Sequence, residues 1–240
     1  MRQRQSGFTL VEIAIVLVII GLLLGGIIQG QQLINSARVK NLAETNSSVQ
    51  AAYFGFIDRY RQVPGDMNQT AAQDAIGVTI TGGGDANGIL SVSSGLPYRE
   101  PNAAWEHLSK SGFIQGSYSG GGGEPTAANN NAPFNAFNNS MILGVSPDYL
   151  STRTTIPPRL QFIIGRGIPV GVIRELDTKV DDGNPAAGVF RATLATPTLF
   201  LGTNSWGGSA ANCTTTATGS TTVIYNVAGG ASDCNGLFLF

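Results

Sequence analysis

The chain has 240 residues and a formal net charge of −1, and only 12% of its residues are charged. This balance gives no sign of a basic surface that binds nucleic acid or of a trap for acidic substrates, and no nucleic-acid partner is expected. Two cysteines and one histidine are too few for a zinc site of the usual kind.

An apolar run occupies residues 8–28. Of its 21 residues, only Thr9 and Glu12 are polar. As a helix the run would be roughly 30 Å long, which matches the hydrocarbon thickness of a bilayer. Arg2 and Arg4 precede it, as in a secretory signal, but no small-residue cleavage site follows, so we expect the run to be retained. The basic leader favours a cytoplasmic N-terminus.

Glu12 is the one charged residue inside this run. An acidic side chain at the centre of a membrane helix costs about 2.5–3.5 kcal/mol on insertion scales, and less near the interface. Two interpretations are open. Glu12 either meets an opposite charge in the same low-dielectric layer, or it lies at the headgroup level, where the cost is small.

The stretch GFTLVE at residues 7–12, between a short basic leader and an apolar run, resembles the signature of type IV prepilins and pseudopilins. The resemblance implies cleavage between Gly7 and Phe8 by a prepilin peptidase, followed by N-methylation of the Phe8 amine. It also implies that Glu12 pairs with the terminal amine of a neighbouring subunit during filament assembly. Each incoming subunit would then neutralise a buried charge. Glu12 would thereby set the position of each subunit relative to its neighbour along the filament axis.

Helical periodicity continues beyond the membrane segment. Apolar residues recur at three- and four-residue steps until Pro64-Gly65 ends the pattern. We predict one helix over residues 8–61, roughly 80 Å long. Its first half would lie in lipid or in the filament core, and its amphipathic second half would pack on a globular domain. Two helices separated near Gly30 are the alternative, because four glycines between residues 21 and 30 lower the helix propensity.

Short elements are predicted in the next part of the chain. Residues 103–111 are expected to form a helix with Trp105 and Leu108 facing inward. Residues 120–131 are rich in glycine and asparagine and are predicted to form a loop.

The C-terminal part is predicted to contain a helix and several strands. The helix covers residues 169–181, with Pro169 at its first position and Gly183 as its end. A long helix followed by antiparallel strands is an α+β arrangement, and it is similar to the pilin fold. The predicted strands are residues 160–164, 189–195, 198–201, 221–227 and 237–240.

Cys213 and Cys234 are the two cysteines. In a domain outside the cytoplasm the default is one disulfide, and two free thiols are the alternative. The bond would close a loop with twenty intervening residues, which the chain-entropy estimate equates with about 3–4 kcal/mol. A disulfide near the C-terminus also agrees with the resemblance to pilins.

Two acidic segments contain oxygen ligands of the type that calcium prefers. Asp85 and Asn87 alternate before a glycine, as in a small Ca²⁺ loop, but they lack a full ligand set. Asp177, Asp181 and Asp182 cluster at the end of the predicted C-terminal helix. A solvated turn or helix end is the favoured interpretation at both places, and calcium binding is the alternative. No other cofactor is predicted.

Catalysis is not predicted. The single histidine, His107, is interpreted as a surface or packing residue beside Trp105 and Glu106. The chain contains no G-x-S-x-G sequence, and its glycines near residue 165 lack the spacing of a dinucleotide-binding loop. We therefore expect a protein that is not an enzyme.

The sequence predicts four segments. They are a leader at 1–7, a transmembrane or filament-core helix half at 8–30, an amphipathic helix half at 31–63 and an extracytoplasmic globular domain at 64–240.

The predicted function is that of a structural subunit of a type IV pilus or a type II secretion-like pseudopilus. The precursor would sit in the inner membrane with its C-terminal domain in the periplasm, and it would then join a filament. Its partners would be prepilin peptidase, an inner-membrane assembly platform and like subunits. The alternatives are a minor tip subunit that binds a surface or substrate, and a membrane-anchored periplasmic enzyme or binding protein that does not polymerise.

Overall fold

A single long helix begins the described part of the chain. The computed structural model describes residues 10–91, 97–194 and 210–240. Helix α1 spans Leu10–Tyr60 and is continuous through Gly30, so the alternative of two separated helices is wrong. The helix ends where Arg61 adopts a positive φ of 56°, shortly before Pro64. The chain divides into two compact units, Met1–Arg38 and Val39–Phe240.

The second unit carries the remaining helices and all the strands of the described residues. In chain order these are α2 (Gln69–Ile76), α3 (Arg99–Lys110), β1 (Ile142–Ser146), β2 (Arg159–Ile163), α4 (Val170–Val180), β3 (Phe190–Ala192), α5 (Ala210–Cys213), β4 (Thr214–Thr216), β5 (Val223–Tyr225), a 3₁₀ turn (Val227–Gly229) and β6 (Gly236–Leu239).

Four strands form one antiparallel sheet in the order β1-β2-β6-β3, and β4 pairs with β5 in a separate hairpin. The register of the larger sheet aligns large side chains across three strands, because Phe162 of β2 and Phe190 of β3 both lie opposite Phe238 of β6. A long N-terminal apolar helix followed by an antiparallel-sheet domain is an α+β fold, as predicted, and this arrangement is consistent with the pilin fold.

Both faces of the larger sheet are covered. Phe162 and Phe238 belong to the main core, whereas their neighbours Ile163 and Leu237 face a second, smaller core that contains Tyr98. Side chains alternate between the two faces of a strand, so a strand buried on both faces appears as a continuous apolar run. The second half of α1 packs in the main core through Val39, Leu42, Val49, Ala52, Tyr53 and Phe56.

Several elements differ from the sequence prediction. Helix α2 and strand β1 were not predicted, although α2 has local signals at both ends. The Asn68 side chain accepts a hydrogen bond from the Ala71 N–H, and Gly77 adopts the left-handed conformation after the last turn. Pro169 is the N-cap of α4 and not its first residue.

Two predicted strands, 160–164 and 237–240, correspond to β2 and β6 shifted by one residue, whereas the other two on described residues are longer than the observed strands. Residues 221–227 contain a three-residue strand followed by a 3₁₀ turn, and β3 covers three residues. The predicted strand at 198–201 and the last residue of the one at 189–195 lie outside the described residues. Residues 120–131 form neither a helix nor a strand, as expected.

Candidate functional site

The first half of α1 presents an apolar surface. Every side chain from Leu10 to Ile28 is exposed within the chain. Among the described residues, α1 is the one helix long and apolar enough to cross a membrane, with a mean hydropathy of 2.9 over its most apolar window. None of that window is buried in the structure. The length and composition fit a membrane anchor.

Glu12 lies in the first turn of α1, and its side chain is exposed. Its closest chain neighbours in the described part, Val11 and Ile13, are apolar and exposed as well. A carboxylate in the first turn interacts favourably with the positive end of the helix dipole. Gly7 and Phe8 lie outside the described residues, so their predicted roles stay predictions.

Helix α3 is enclosed on all sides, although it carries several polar side chains. Every residue from Glu100 to Leu108 is buried. The prediction that Trp105 and Leu108 face inward is confirmed. The sequence pattern did not indicate that the polar residues between them are buried too, because a helix of mixed polarity ordinarily exposes one face.

Glu106 of α3 holds two loops together. Its carboxylate accepts hydrogen bonds from the Thr81 N–H at 2.9 Å, the Gly82 N–H at 2.8 Å and the Gly120 N–H at 3.0 Å. The Thr81 hydroxyl lies 3.0 Å from the same carboxylate. Multiple donors of this kind stabilise a buried carboxylate. Glycine is required where the loops meet, because a Cβ on Gly82 would lie 2.5 Å from the Gly120 Cα.

His107 is a buried packing residue. Its Nδ1 accepts a hydrogen bond from the Gly65 N–H at 2.9 Å, and its Nε2 lies 3.3 Å from the Gly82 carbonyl oxygen. These contacts fit a neutral imidazole whose proton is on Nε2. Burial lowers the pKa of His107 below its usual value of 6.5, against smaller opposing effects of the Gly82 carbonyl and the Glu106 charge.

We expect the burial of His107 to make the protein less stable in mild acid. The imidazole titrates at 6.5 in the unfolded chain and at a lower pH in the folded one, so the unfolded state binds more protons between these values. The contribution of neutral His107 to the free energy of unfolding is therefore complete above pH 6.5, and it is lost as the pH falls towards the pKa of the folded state. The measurement is the free energy of unfolding from pH 8 to pH 5.

The matched variant is His107→Gln, which has no imidazole to protonate. Its free energy of unfolding should therefore not show the decrease in mild acid that His107 causes. Asp177 acts in the opposite direction, because burial raises its pKa to about 6 and its neutral form stabilises the fold at low pH. The quantity to compare is therefore the difference in the free energy of unfolding between wild type and His107→Gln at each pH. A difference that does not change with pH would contradict the assignment.

The first acidic segment lies in a cluster of three carboxylates. Ligand atoms of Asp85, Asp66 and Glu100 lie within 4.8 Å of one another. Asp66 accepts from the backbone N–H of Asn87 at 3.0 Å, and Glu100 accepts from that of Ser91 at 2.6 Å. Burial raises the pKa of Glu100, and the charges of Asp85 and Asp66 raise it further. The Asn87 side-chain oxygen accepts a hydrogen bond from the Ile89 N–H at 2.9 Å.

The second acidic segment closes helix α4. Asp177 is completely buried, so a solvated helix end is the wrong interpretation for this residue. It accepts hydrogen bonds from the Tyr225 hydroxyl at 2.7 Å and from the Gly183 N–H at 3.0 Å. Asp181 accepts from the Phe190 N–H at the start of β3, and Asp182 accepts from the Asn184 N–H of the following turn. The structure therefore gives all three carboxylates structural partners, and calcium binding at either cluster stays a prediction.

Cys213 and Cys234 form a disulfide, as predicted. The bond joins the end of α5 to the segment before β6, and it closes the loop that contains the β4–β5 hairpin. Tyr225 of this hairpin reaches Asp177 of α4. The disulfide and this hydrogen bond thus attach the hairpin to the rest of the unit at two points.

Loss of the disulfide should destabilise the second unit by about 3 kcal/mol, because the open loop gains chain entropy in the unfolded state. Cys213→Ser combined with Cys234→Ser is the appropriate variant, and denaturant unfolding with and without reductant is the measurement. Reductant should lower the stability of the wild type to that of the variant and leave the variant unchanged. Equal stability of wild type and variant without reductant would contradict the expectation.

One family model matches the chain. Comparison with curated proteins and with solved structures finds no match. Residues 2–28 match the model of the prokaryotic N-terminal methylation motif. The match covers the basic leader, Gly7, Phe8, Glu12 and most of the exposed apolar half of α1. The N-terminal segment of this chain therefore carries the prepilin-type cleavage and methylation signature of type IV pilins and pseudopilins.

Proposed function

We propose that the chain is a structural subunit of a type IV pilus or of a type II secretion-like pseudopilus. The observation that carries the proposal is the methylation motif at residues 2–28, located at the start of a helix whose apolar side chains are exposed. Such a surface needs lipid or neighbouring helices to cover it. Lipid would cover this surface while the precursor is in the membrane, and the helices of like subunits would cover it in the filament core.

The four segments have different roles in this proposal. Residues 1–7 are a leader that is removed, and residues 8–30 are the membrane and filament-core half of the helix. Residues 31–63 form its amphipathic half, and residues 64–240 form the extracytoplasmic domain. Burial of helix side chains in the globular core begins at Val39, which supports an amphipathic second half.

Glu12 recruits the next subunit. In the proposed filament its carboxylate lies in a low-dielectric layer, where an opposite charge within contact distance stabilises it most. The methylated amine of Phe8 on a neighbouring subunit provides that charge. Because Glu12 lies in the first turn of the helix and Phe8 is the new terminus, both charges lie near the same end of their subunits.

The partners and location follow from this role. Prepilin peptidase cleaves the precursor at the cytoplasmic side of the inner membrane, and an assembly platform in that membrane passes the mature chain into the filament. The C-terminal domain is periplasmic before assembly. The disulfide is compatible with that compartment, because disulfides form and persist in oxidising environments such as the periplasm. The role is structural and needs no catalytic group.

The processed chain should begin at an N-methylated Phe8. We expect intact-mass and N-terminal peptide analysis of membrane and filament fractions to show loss of residues 1–7 and one added methyl group. The reason is that Gly7-Phe8 lies between the basic leader and the apolar run, inside the matched residues, and no small-residue cleavage site follows the run in the sequence. A chain that begins near Gln31, or one that keeps its leader in every fraction, would contradict the proposal.

Two variants provide the control for processing. Gly7→Leu places a bulky side chain directly before the scissile bond and should leave the leader attached. Ser6→Ala changes the preceding residue and should be processed as in the wild type. Equal processing of both variants would show that cleavage does not depend on Gly7.

A further inference from the structure

A polar cavity of about 420 Å³ lies in the second unit, and its lining residues belong to segments other than α1. It is formed by the segment 124–127, by the turn 134–140 and by Arg166, which follows strand β2. The volume is within the range of small-molecule sites, about 300–1,000 Å³. The filament role proposed above does not use this cavity.

The turn that forms one wall is held by a buried asparagine. Asn135 is only 6% exposed. Its Oδ1 accepts hydrogen bonds from the N–H groups of Phe137 at 2.8 Å and Asn139 at 3.1 Å. Its Nδ2 donates to the carbonyl oxygens of Ile164 at 2.8 Å and Arg166 at 3.2 Å. The wall is therefore attached to the end of β2 and is formed before any ligand binds.

One more hydrogen bond fixes the cavity. The buried Ser140 hydroxyl donates to the Pro125 carbonyl oxygen at 3.1 Å and so joins the two walls. Asn138 adopts a positive φ of 58° at the tip of the turn, and its side chain lines the cavity.

The charges of the cavity are already compensated. Arg166 donates to Asp233 through Nη2 at 2.6 Å and Nε at 3.3 Å. This hydrogen bond and the charges of Asp233 and Glu124 raise the pKa of Arg166, so the guanidinium remains charged. An anionic ligand would meet the carboxylate of Glu124, and a cationic ligand would meet Arg166. A neutral ligand avoids both repulsions.

We propose that this cavity, between the 124–127 segment, the 134–140 turn and Arg166, binds a neutral saccharide. Sugar hydroxyls donate and accept hydrogen bonds, and the lining supplies both types of partner. Glu124 can accept, the remaining guanidinium N–H groups can donate, and the amides of Asn138 and Asn139 can do both. Phe134 lines the cavity and is 38% exposed, so part of its aromatic ring is accessible to the C–H groups of a sugar. The binding role is additional to that of a filament subunit.

The test uses the full mature chain in detergent micelles. The probes are the methyl glycosides of glucose, galactose, mannose, N-acetylglucosamine and N-acetylgalactosamine, and N-acetylneuraminic acid serves as the acidic comparison. Saturation-transfer NMR detects binding and a titration gives the Kd. A monosaccharide has about 12 non-hydrogen atoms, so ordinary ligand efficiencies place the Kd in the millimolar range.

Matched variants separate the cavity from the rest of the surface. Phe134→Leu and Asn138→Gly remove an aromatic face and an amide without backbone strain, and each should weaken binding at least about fivefold. The controls are Phe54→Leu, at an exposed phenylalanine of α1, and Asn130→Gly, at another asparagine with positive φ outside the cavity. Both should bind as the wild type does.

Binding of at least one neutral glycoside that the cavity variants weaken and the controls do not would support the proposal. Three results would overturn it. These are a Kd above about 10 mM for all five neutral glycosides, binding of the acidic sugar alone, and binding that the cavity variants leave unchanged. Filament assembly of the cavity variants should be normal, so the two proposals can fail separately.

Discussion

Glu12→Ala is expected to enter the membrane normally and to fail in filament assembly. Insertion should be as good as in the wild type or slightly better, because the cost of desolvating a carboxylate disappears. Cleavage should also continue, since the proposed scissile bond lies between Gly7 and Phe8. An incoming Phe8 amine would instead be buried without its counter-charge, a penalty that can reach several kcal/mol. A loss of this size corresponds to at least a hundredfold in incorporation.

The measurement is the filament yield relative to the membrane pool, in cells that lack the wild-type copy. Glu12→Gln should be intermediate, because an amide can accept a hydrogen bond but cannot neutralise a charge. Glu44→Ala is the matched control on the same helix, at an exposed residue that forms a surface ion pair with Lys40 at 3.6 Å. That pair is of a kind that contributes little, so this variant should assemble normally.

Normal incorporation of Glu12→Ala would show that the acid is a tolerated interfacial residue. The proposed role of Glu12 in positioning neighbouring subunits would then be wrong, although the proposed cleavage and methylation of the chain would be unaffected. Equal failure of Glu12→Ala and Glu44→Ala would instead indicate a general defect of the helix.

Glu106→Ala should destabilise the second unit by about 2–6 kcal/mol, because two buried N–H groups would lose their acceptor and each such loss costs about 1–3 kcal/mol. Glu106 is only 1% exposed. Without its carboxylate, the N–H groups of Gly82 and Gly120 would be buried without a partner. Water cannot easily replace the acceptor, because the two glycine backbones approach each other closely at this point.

Denaturant unfolding of the full chain in detergent is the measurement. Glu106→Gln keeps the shape of the side chain but has one carbonyl acceptor, so it should lose part of the stability. Glu175→Ala on α4 is the matched control, since that residue pairs with Lys179 at 2.6 Å on the surface. It should change the stability by less than about 1 kcal/mol. A similar loss in Glu106→Ala and Glu175→Ala would show that the buried contacts contribute little.

The sequence was sufficient for elements whose signals are local. A helix is specified by residues three and four positions apart, so the apolar face of α1 and its end before Pro64 were predictable. The same holds for α4, with Pro169 at its start and Ile173 and Leu176 inward. The leader, Gly7-Phe8 and Glu12 form a contiguous motif, and no tertiary contact is needed to recognise it.

The sequence was insufficient where a residue's environment comes from distant segments. Strand β1 was missed because its two faces meet different cores, which leaves no alternation of polar and apolar residues to detect. Asp85 was selected from its own loop, but the side chains that approach it, Asp66 and Glu100, come from other segments. The polar cavity likewise combines three stretches that are separate in the chain.

Helix α3 shows most clearly what each level decides. Its helical periodicity is local, and the inward direction of Trp105 and Leu108 followed from it. The burial of Glu106 and His107 could not be predicted from that periodicity. A polar side chain is ordinarily exposed to solvent unless other segments supply hydrogen-bond donors and acceptors to it. Those partners belong to loops 14 to 42 residues away, and only the tertiary structure brings them within hydrogen-bonding distance.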